Sequence, residues 1–203
     1  SSDLTPNGWA PAQMRACGAV PGEMTCIPGG AFLLGSAHSP PFAGGQEPLP
    51  ERLVVVSPFA LDVGETSVGT VRKLFEQGRI SSVPDAAAPG EDPKTGCDYA
   101  ADGANDDLPV NCTDRALAAE ICAALDKRLP REAEWEYAAS GAGAETTYPW
   151  GEDTAICDHA VVAVGDSATV GQDPSCRAVN QIVPPGLRAD GNAQDRTPQG
   201  ALN

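Results

Sequence analysis

The sequence predicts an α+β domain of short strands, two or three modest helices and much irregular loop. Three observations carry this. The 203 residues include 22 Gly and 19 Pro, about a fifth of the chain against roughly an eighth in an average domain, so turns dominate. The β-branched runs are short and stop at turn residues. The stretches with apolar residues at spacings of three and four are only about ten residues long and open on capping residues. One domain is expected at this length, with a tail or spacer over 1–23 and the domain proper over 24–203. No run of 18 or more apolar residues exists, so no membrane span is expected.

The elements follow in order. In MTCIPGGAFLLGS a Pro-Gly-Gly turn precedes a strand core over Ala31 to Leu34. His38 to Pro50 is a Pro/Gly loop. Arg52 to Val63 reads as two short strands broken at Ser57-Pro58, since proline cannot donate to a ladder. Thr66 or Ser67 caps a helix over Val68 to Gln77, whose apolar face is Val68, Val71, Leu74 and Phe75. Residues 78–108 form a polar loop that includes Asn105-Asp106-Asp107. That triplet has oxygen ligands suited to calcium but no EF-hand spacing, so it reads as solvated surface. Asp114 caps a second helix from Arg115 to about Asp126.

The third helix is expected over 131–139, with Pro130 at its first position, where a missing N–H is harmless. Glu132, Glu134 and Glu136 suit the positive end of its dipole. Trp135 is expected in the core with Ala133, Ala138 and Ala139, and Gly141 and Gly143 end the run. After Trp150 the chain is loop-like, with a strand candidate over Val161 to Gly165.

A net charge of −15 argues against nucleic acid, because nothing neutralises phosphates. An acidic surface confers solubility and draws cations or basic peptides. The seven cysteines, Cys17, Cys26, Cys97, Cys112, Cys122, Cys157 and Cys176, form no CxxC pair, and His38 and His159 stand apart. No zinc site is therefore expected. Single cysteines scattered through Gly/Pro-rich loops suggest disulfides in an oxidising compartment. A chain that begins at Ser1 without Met fits a processed protein whose signal peptide has been removed or omitted, so the expected location is extracytoplasmic: secreted, periplasmic or surface-anchored. Cys17 with Cys26, and Cys157 with Cys176, are candidate local pairs. The odd count leaves one of Cys97, Cys112 or Cys122 for a partner beyond Asn203, or as a thiol. Cys122 lies near Leu117, Ile121 and Leu125 on its helix, which suits an inert or bridged sulfur better than a nucleophile. Asn111-Cys112-Thr113 formally matches a glycosylation sequon.

The stretch KRLPREAEWEYAASG, followed by YPWG, closely resembles the signature of the formylglycine-generating enzyme, or sulfatase-modifying-factor, family. The matching residues are Arg128, Leu129, Pro130, Glu132, Glu134, Trp135, Glu136, Tyr137, Pro149, Trp150 and Gly151; Arg131 and Ser140 depart from the usual Thr and Arg. MTCIPGGAFLLGS resembles the family's opening, with Leu34 for Met. Asp62, Glu65 and Phe75 match its next element, and LPVNC its short strand. Asp114 and Ala124-Leu125-Asp126 stand where tryptophans are usual. Thr197 to Asn203 resembles the element that leads into GNVWEW, so the chain reads as an incomplete domain, matched over about 24–203.

That resemblance implies a C-type-lectin-like fold in which the signature is structural. It also implies, for the complete form, a copper-dependent oxidase that converts a sulfatase cysteine to formylglycine using molecular oxygen. A pair of soft thiolates suits Cu(I), but the family's pair lies beyond Asn203, so no catalytic or metal residue is expected in this chain. The expected partner is a sulfatase-type polypeptide. Calcium is a further, unplaced candidate: the family's Ala-Asn ligand position reads Ala160-Val161 here. The alternative is a non-catalytic extracytoplasmic binding module on the same fold, since fold does not fix function. An iron-dependent sulfoxide synthase of the same fold would need a His-rich helical domain, and two isolated histidines give it no support.

Overall fold

The computed structural model describes residues 16–35, 50–85, 97–144 and 146–153. They are α+β, with four short antiparallel strands and three helices. They fall into two compact units. The first takes its described residues from the chain up to Val63 and from Pro130–Asp153, and the second from Gly64–Leu129.

In the first unit, β1 (Met24–Ile27) pairs with β4 (Phe59–Asp62), and β2 (Gly30–Leu34) with β3 (Arg52–Val56). Ile27 faces Phe59 and Gly30 faces Val56, so one register runs through all four strands and sets Pro28 opposite Pro58. Two facing prolines offer no N–H to either side. What would be one long ladder is thereby cut into two sheets of two strands. The expected strands over Arg52 to Val63 and Ala31 to Leu34 are present; β1, which was not foreseen, completes the pattern.

Alternation along β2 and β3 sends Phe32, Leu34 and Val56 inward and leaves Leu33, Leu53 and Val55 exposed. On the inner face lies α3 (Glu132–Ala139). Its Tyr137 and Ala138 are buried with Ile27, Phe32, Leu34, Val56 and Ala142, and Val54, Phe59, Leu61 and Ala133 pack around them. The Phe32 and Tyr137 rings meet at 5.2 Å between centroids with planes 58° apart, a tilted geometry that aromatic quadrupoles favour. The Tyr137 hydroxyl is buried without a hydrogen-bond partner. It rests against Gly30, where a Cβ would collide with the hydroxyl oxygen, while the ring carbon Cζ would lie at 3.4 Å.

Two expectations for α3 are corrected. Pro130 is not its first residue: Arg131 is the N-cap, and its N–H donates to Glu134 Oε2 at 2.8 Å. The chain needs Pro130 one step earlier, because Arg131 is still extended. Trp135 is not in the core but 63% exposed. Buried positions 134, 137, 138 and 141 form one face at helical spacing, and Trp135 falls on its flank.

The second unit is built on α1 (Val68–Glu76) and α2 (Arg115–Ala124). Val68, Val71, Leu74, Ile80, Tyr99, Leu117 and Ile121 form its buried cluster. Ser67 caps α1 and Asp114 caps α2, as their side-chain chemistry predicts. Phe75, expected on the apolar face, is 43% exposed; the face is completed by Ile80 and Tyr99 from beyond the helix.

All three helices end alike. The N–H two residues past the C-cap reaches back to the third-last helical carbonyl, and the N–H before it to the second-last. The bonds are Arg79 to Leu74 and Gly78 to Phe75 in α1, Lys127 to Cys122 and Asp126 to Ala123 in α2, and Ala142 to Tyr137 and Gly141 to Ala138 in α3. This is the Schellman closure, which needs a left-handed residue after the cap. Gly78, Asp126 and Gly141 supply it, with φ of 67°, 58° and 74°.

Two outcomes follow for stability by chemical denaturation. Gly30→Ala is expected to cost about 1–3 kcal/mol by overpacking. In a Tyr137→Phe background, where the colliding oxygen is gone, that cost should fall by about 1 kcal/mol or more. Equal costs in both backgrounds would place the Tyr137 hydroxyl elsewhere. Trp135→Ala should shift stability by less than about 1 kcal/mol, whereas Ile27→Ala should cost about 2–5 kcal/mol.

Candidate functional site

The signature residues make a set of backbone and packing contacts. In the first unit, Glu134 is buried and closes the N-terminus of α3. Glu136 Oε1 accepts the Gly35 N–H at 2.6 Å, fastening the end of β2 to the helix. Tyr148 and Gly151 exchange backbone hydrogen bonds of 3.0 Å around Pro149 and Trp150. The Tyr148 and Trp150 rings stack at 5.1 Å with planes 3° apart, and Trp150 Nε1 donates to Asp153 O at 3.0 Å. Glu152 accepts the Thr147 N–H and hydroxyl at 2.9 and 2.7 Å, which holds its carboxyl below the usual range. In the second unit, Arg128 Nη1 donates to the neighbouring Leu129 carbonyl.

The cysteines divide by unit. Cys17 and Cys26 form the expected local disulfide in the first, with Cα atoms 5.8 Å apart. In the second, Cys97 is bonded to Cys112 with Cα atoms 5.5 Å apart. The sequence left that pairing open. Cys122, half-buried on α2, is in neither bridge. Cys157 and Cys176, the strand candidate at Val161 to Gly165, and His38 and His159 lie outside the described residues.

The densest polar constellation among the described residues is the loop that this second disulfide closes. It wraps the N-terminus of α1. Val68 N–H donates to Leu108 O at 2.9 Å and Gly69 N–H to Asp106 O at 3.0 Å, while Val110 N–H returns to Thr66 O at 2.8 Å. Ser67 and Pro109 form a β-bridge. The first two bonds use donors that a helix start would otherwise leave open. Arg72 grips Asp106 through two nitrogens, one at 3.0 Å from Oδ1, and reaches Glu76 at 2.7 Å. That grip raises the Arg72 pKa and lowers that of Asp106.

Asn105, Asn111 and Asp98 knit the loop internally. Asp98 N–H donates to Asn111 Oδ1 at 2.7 Å, and Asn105 Nδ2 donates to Asp98 O at 2.9 Å. Asn111 of the formal sequon is thus tied into the loop. Asp98 is 4% exposed, and burial pushes its carboxyl pKa up. Asn105 and Asp106, read from the sequence as solvated surface, are both engaged. Asp98 escaped the sequence reading; its position beside Cys97 was the available signal. Across the unit, Glu120 accepts the Ser81 N–H and hydroxyl at 2.7 and 2.9 Å, and Arg79 donates to the Ala124 carbonyl.

Among the described residues, no group of three or more His, Cys, Asp or Glu is placed to hold a metal ion, and four of the cysteines are consumed in disulfides. These residues therefore do not fit a copper(I) centre. Compared with known proteins, the chain matches the family model of the sulfatase-modifying factor enzyme 1-like domain over residues 11–180. No curated protein matches it.

The two loop aspartates should move stability with pH in opposite directions. With a raised folded-state pKa, Asp98 binds its proton more tightly in the native chain, so its contribution falls as pH rises above the ordinary carboxylate value. Asp98→Asn should raise the melting temperature at neutral pH and leave it little changed in acid. Asp106, held low by Arg72, contributes above the ordinary carboxylate value and loses that contribution as pH falls through its folded pKa. Asp106→Asn should lower the neutral melting temperature and flatten the acid limb. Thermal melts of both variants between acid and neutral pH check the two signs.

Proposed function

The chain belongs to the sulfatase-modifying factor enzyme 1-like family, and from that membership we propose that its described residues are the scaffold portion of an extracytoplasmic formylglycine-generating-type oxidase domain. The complete domain would have the family's C-type-lectin-like architecture and would oxidise a cysteine of a sulfatase-type polypeptide to formylglycine. Copper and the thiolates that hold it would lie outside the described residues. When bound, copper supplies the redox chemistry with oxygen; the residues described here hold the frame around it.

The observation that carries this reading is the placement of the family signature. The RLPREAEWEY segment is the helix on which the first unit's core is assembled, through Tyr137, Ala138 and Phe32. Its acidic residues fasten backbone donors at Arg131 and Gly35. Such residues set a fold, and the two disulfides, which engage four of the cysteines, support leaving the reacting groups to other segments. Two disulfides suit an oxidising compartment. No helix among the described residues is long and apolar enough to cross a membrane.

The test is conversion of a cysteine-containing sulfatase peptide to its aldehyde, followed by mass spectrometry with copper and oxygen supplied. The protein is the 203-residue chain, assayed beside the continued product wherever its reading frame encodes one. Conversion by the continued product alone is expected. Conversion by both at equal rate would overturn the scaffold assignment. Conversion by neither would overturn the oxidase reading and favour a binding module of the same family.

A further inference from the structure

The disulfide between Cys97 and Cys112 closes a segment whose parts are held in different ways. Its ends are seated by apolar contact: Tyr99 is in the buried cluster of α1 and α2, and Val110 packs against it. Its middle has no such seat, since no residue from Ala101 to Leu108 is buried. That middle stays on α1 through the Val68 N–H to Leu108 O and Gly69 N–H to Asp106 O bonds and the Arg72 to Asp106 grip. Next to Cys97, the segment also buries the Asp98 carboxyl, which favours water when ionised. A covalent closure offsets both weaknesses by limiting the conformations open to the released loop. Cys112 is exposed and Cys97 half-buried, so a reductant reaches one sulfur from solvent.

We propose that Cys97–Cys112 is a redox-operated clasp on the N-terminus of α1. A dithiol reductant opens it, and the polar middle of the loop then leaves the helix while the apolar ends stay seated. One thiolate of the dithiol attacks the Cys112 sulfur, forming a mixed disulfide and expelling Cys97 as a thiolate. The second thiol of the reductant then resolves the mixed disulfide, giving the reductant's own disulfide and the Cys112 thiolate. Two electrons pass to the protein, and the two protons lost by the dithiol end on Cys97 and Cys112. Without closure, Val68 and Gly69 lose their acceptors at Leu108 and Asp106, and the first turn of α1 depends on Ser67 alone. The buried Val71 and Leu74 keep the rest of the helix in place.

The experiment is amide hydrogen exchange by NMR on the folded 203-residue chain, oxidised and then in graded dithiothreitol. Alkylation and mass spectrometry on the same samples report which disulfide has opened. When Cys97 and Cys112 become alkylated, exchange at Val68, Gly69 and Asp106 should quicken by about tenfold or more, with Leu74 and Ile121 changing by less than about twofold. A Cys97→Ser/Cys112→Ser variant should show the same pattern without reductant. Unchanged exchange at Val68 and Gly69 after alkylation overturns the proposal. So does an equal rise throughout α1 and α2, or failure of the double variant to fold, because either makes the bridge a staple of the whole unit.

Discussion

The first unit depends on one contact, the tilted meeting of Phe32 and Tyr137. Phe32 can point inward only if β2 keeps its register against β3, because a slip of one residue would turn it to solvent. Tyr137 can reach it only if α3 starts where Arg131 and Glu134 make it start. Gly30 must lack a side chain because the Tyr137 hydroxyl comes against it. The break at Pro28 and Pro58 lies just before Gly30, so the second sheet begins where the hydroxyl needs bare backbone. Register, cap and glycine are thus three conditions of a single packing event.

The second unit is governed by its helix ends more than by its core. Both helices open on a side-chain cap and close by the same backward reach of two N–H groups. In α2 the left-handed position is filled by Asp126, a residue that adopts this conformation more readily than most non-glycines. Lys127 follows at once and closes the turn, so the start of the family signature is also the end of α2. The same residues stop one helix and begin the signature whose later residues form the next.

Much of this was legible in the sequence. A cap at Thr66 or Ser67 and one at Asp114 were readable because a short polar side chain before an apolar periodic run has few other uses. The two strands around Ser57-Pro58 were readable from β-branched content and a breaker. β1 was missed because four residues followed by a proline carry almost no periodic signal, and its existence follows only from the register of its partner. Trp135 reads as core from its apolar side chain, whereas the helical face is fixed by Glu134, Tyr137 and Ala138. Glu134 is buried through its bond to Arg131, and no hydrophobicity pattern announces that. The pairing of Cys97 with Cys112 could not be read either, since connectivity depends on a loop path that leaves no mark in spacing.

The bond from Gly35 to Glu136 has a consequence for how this chain tolerates change. It fixes the last point of β2, and the ladder from Arg52 fixes the first point of β3. Both ends of the connection between them are therefore tied down independently of what joins them. Lengthening a tethered connection costs only about 0.6 kcal/mol for each doubling. Insertions and deletions between Gly35 and Arg52 can accumulate over evolutionary time with the rest of the unit unaltered, which makes that span a natural place for one member of a family to diverge from another.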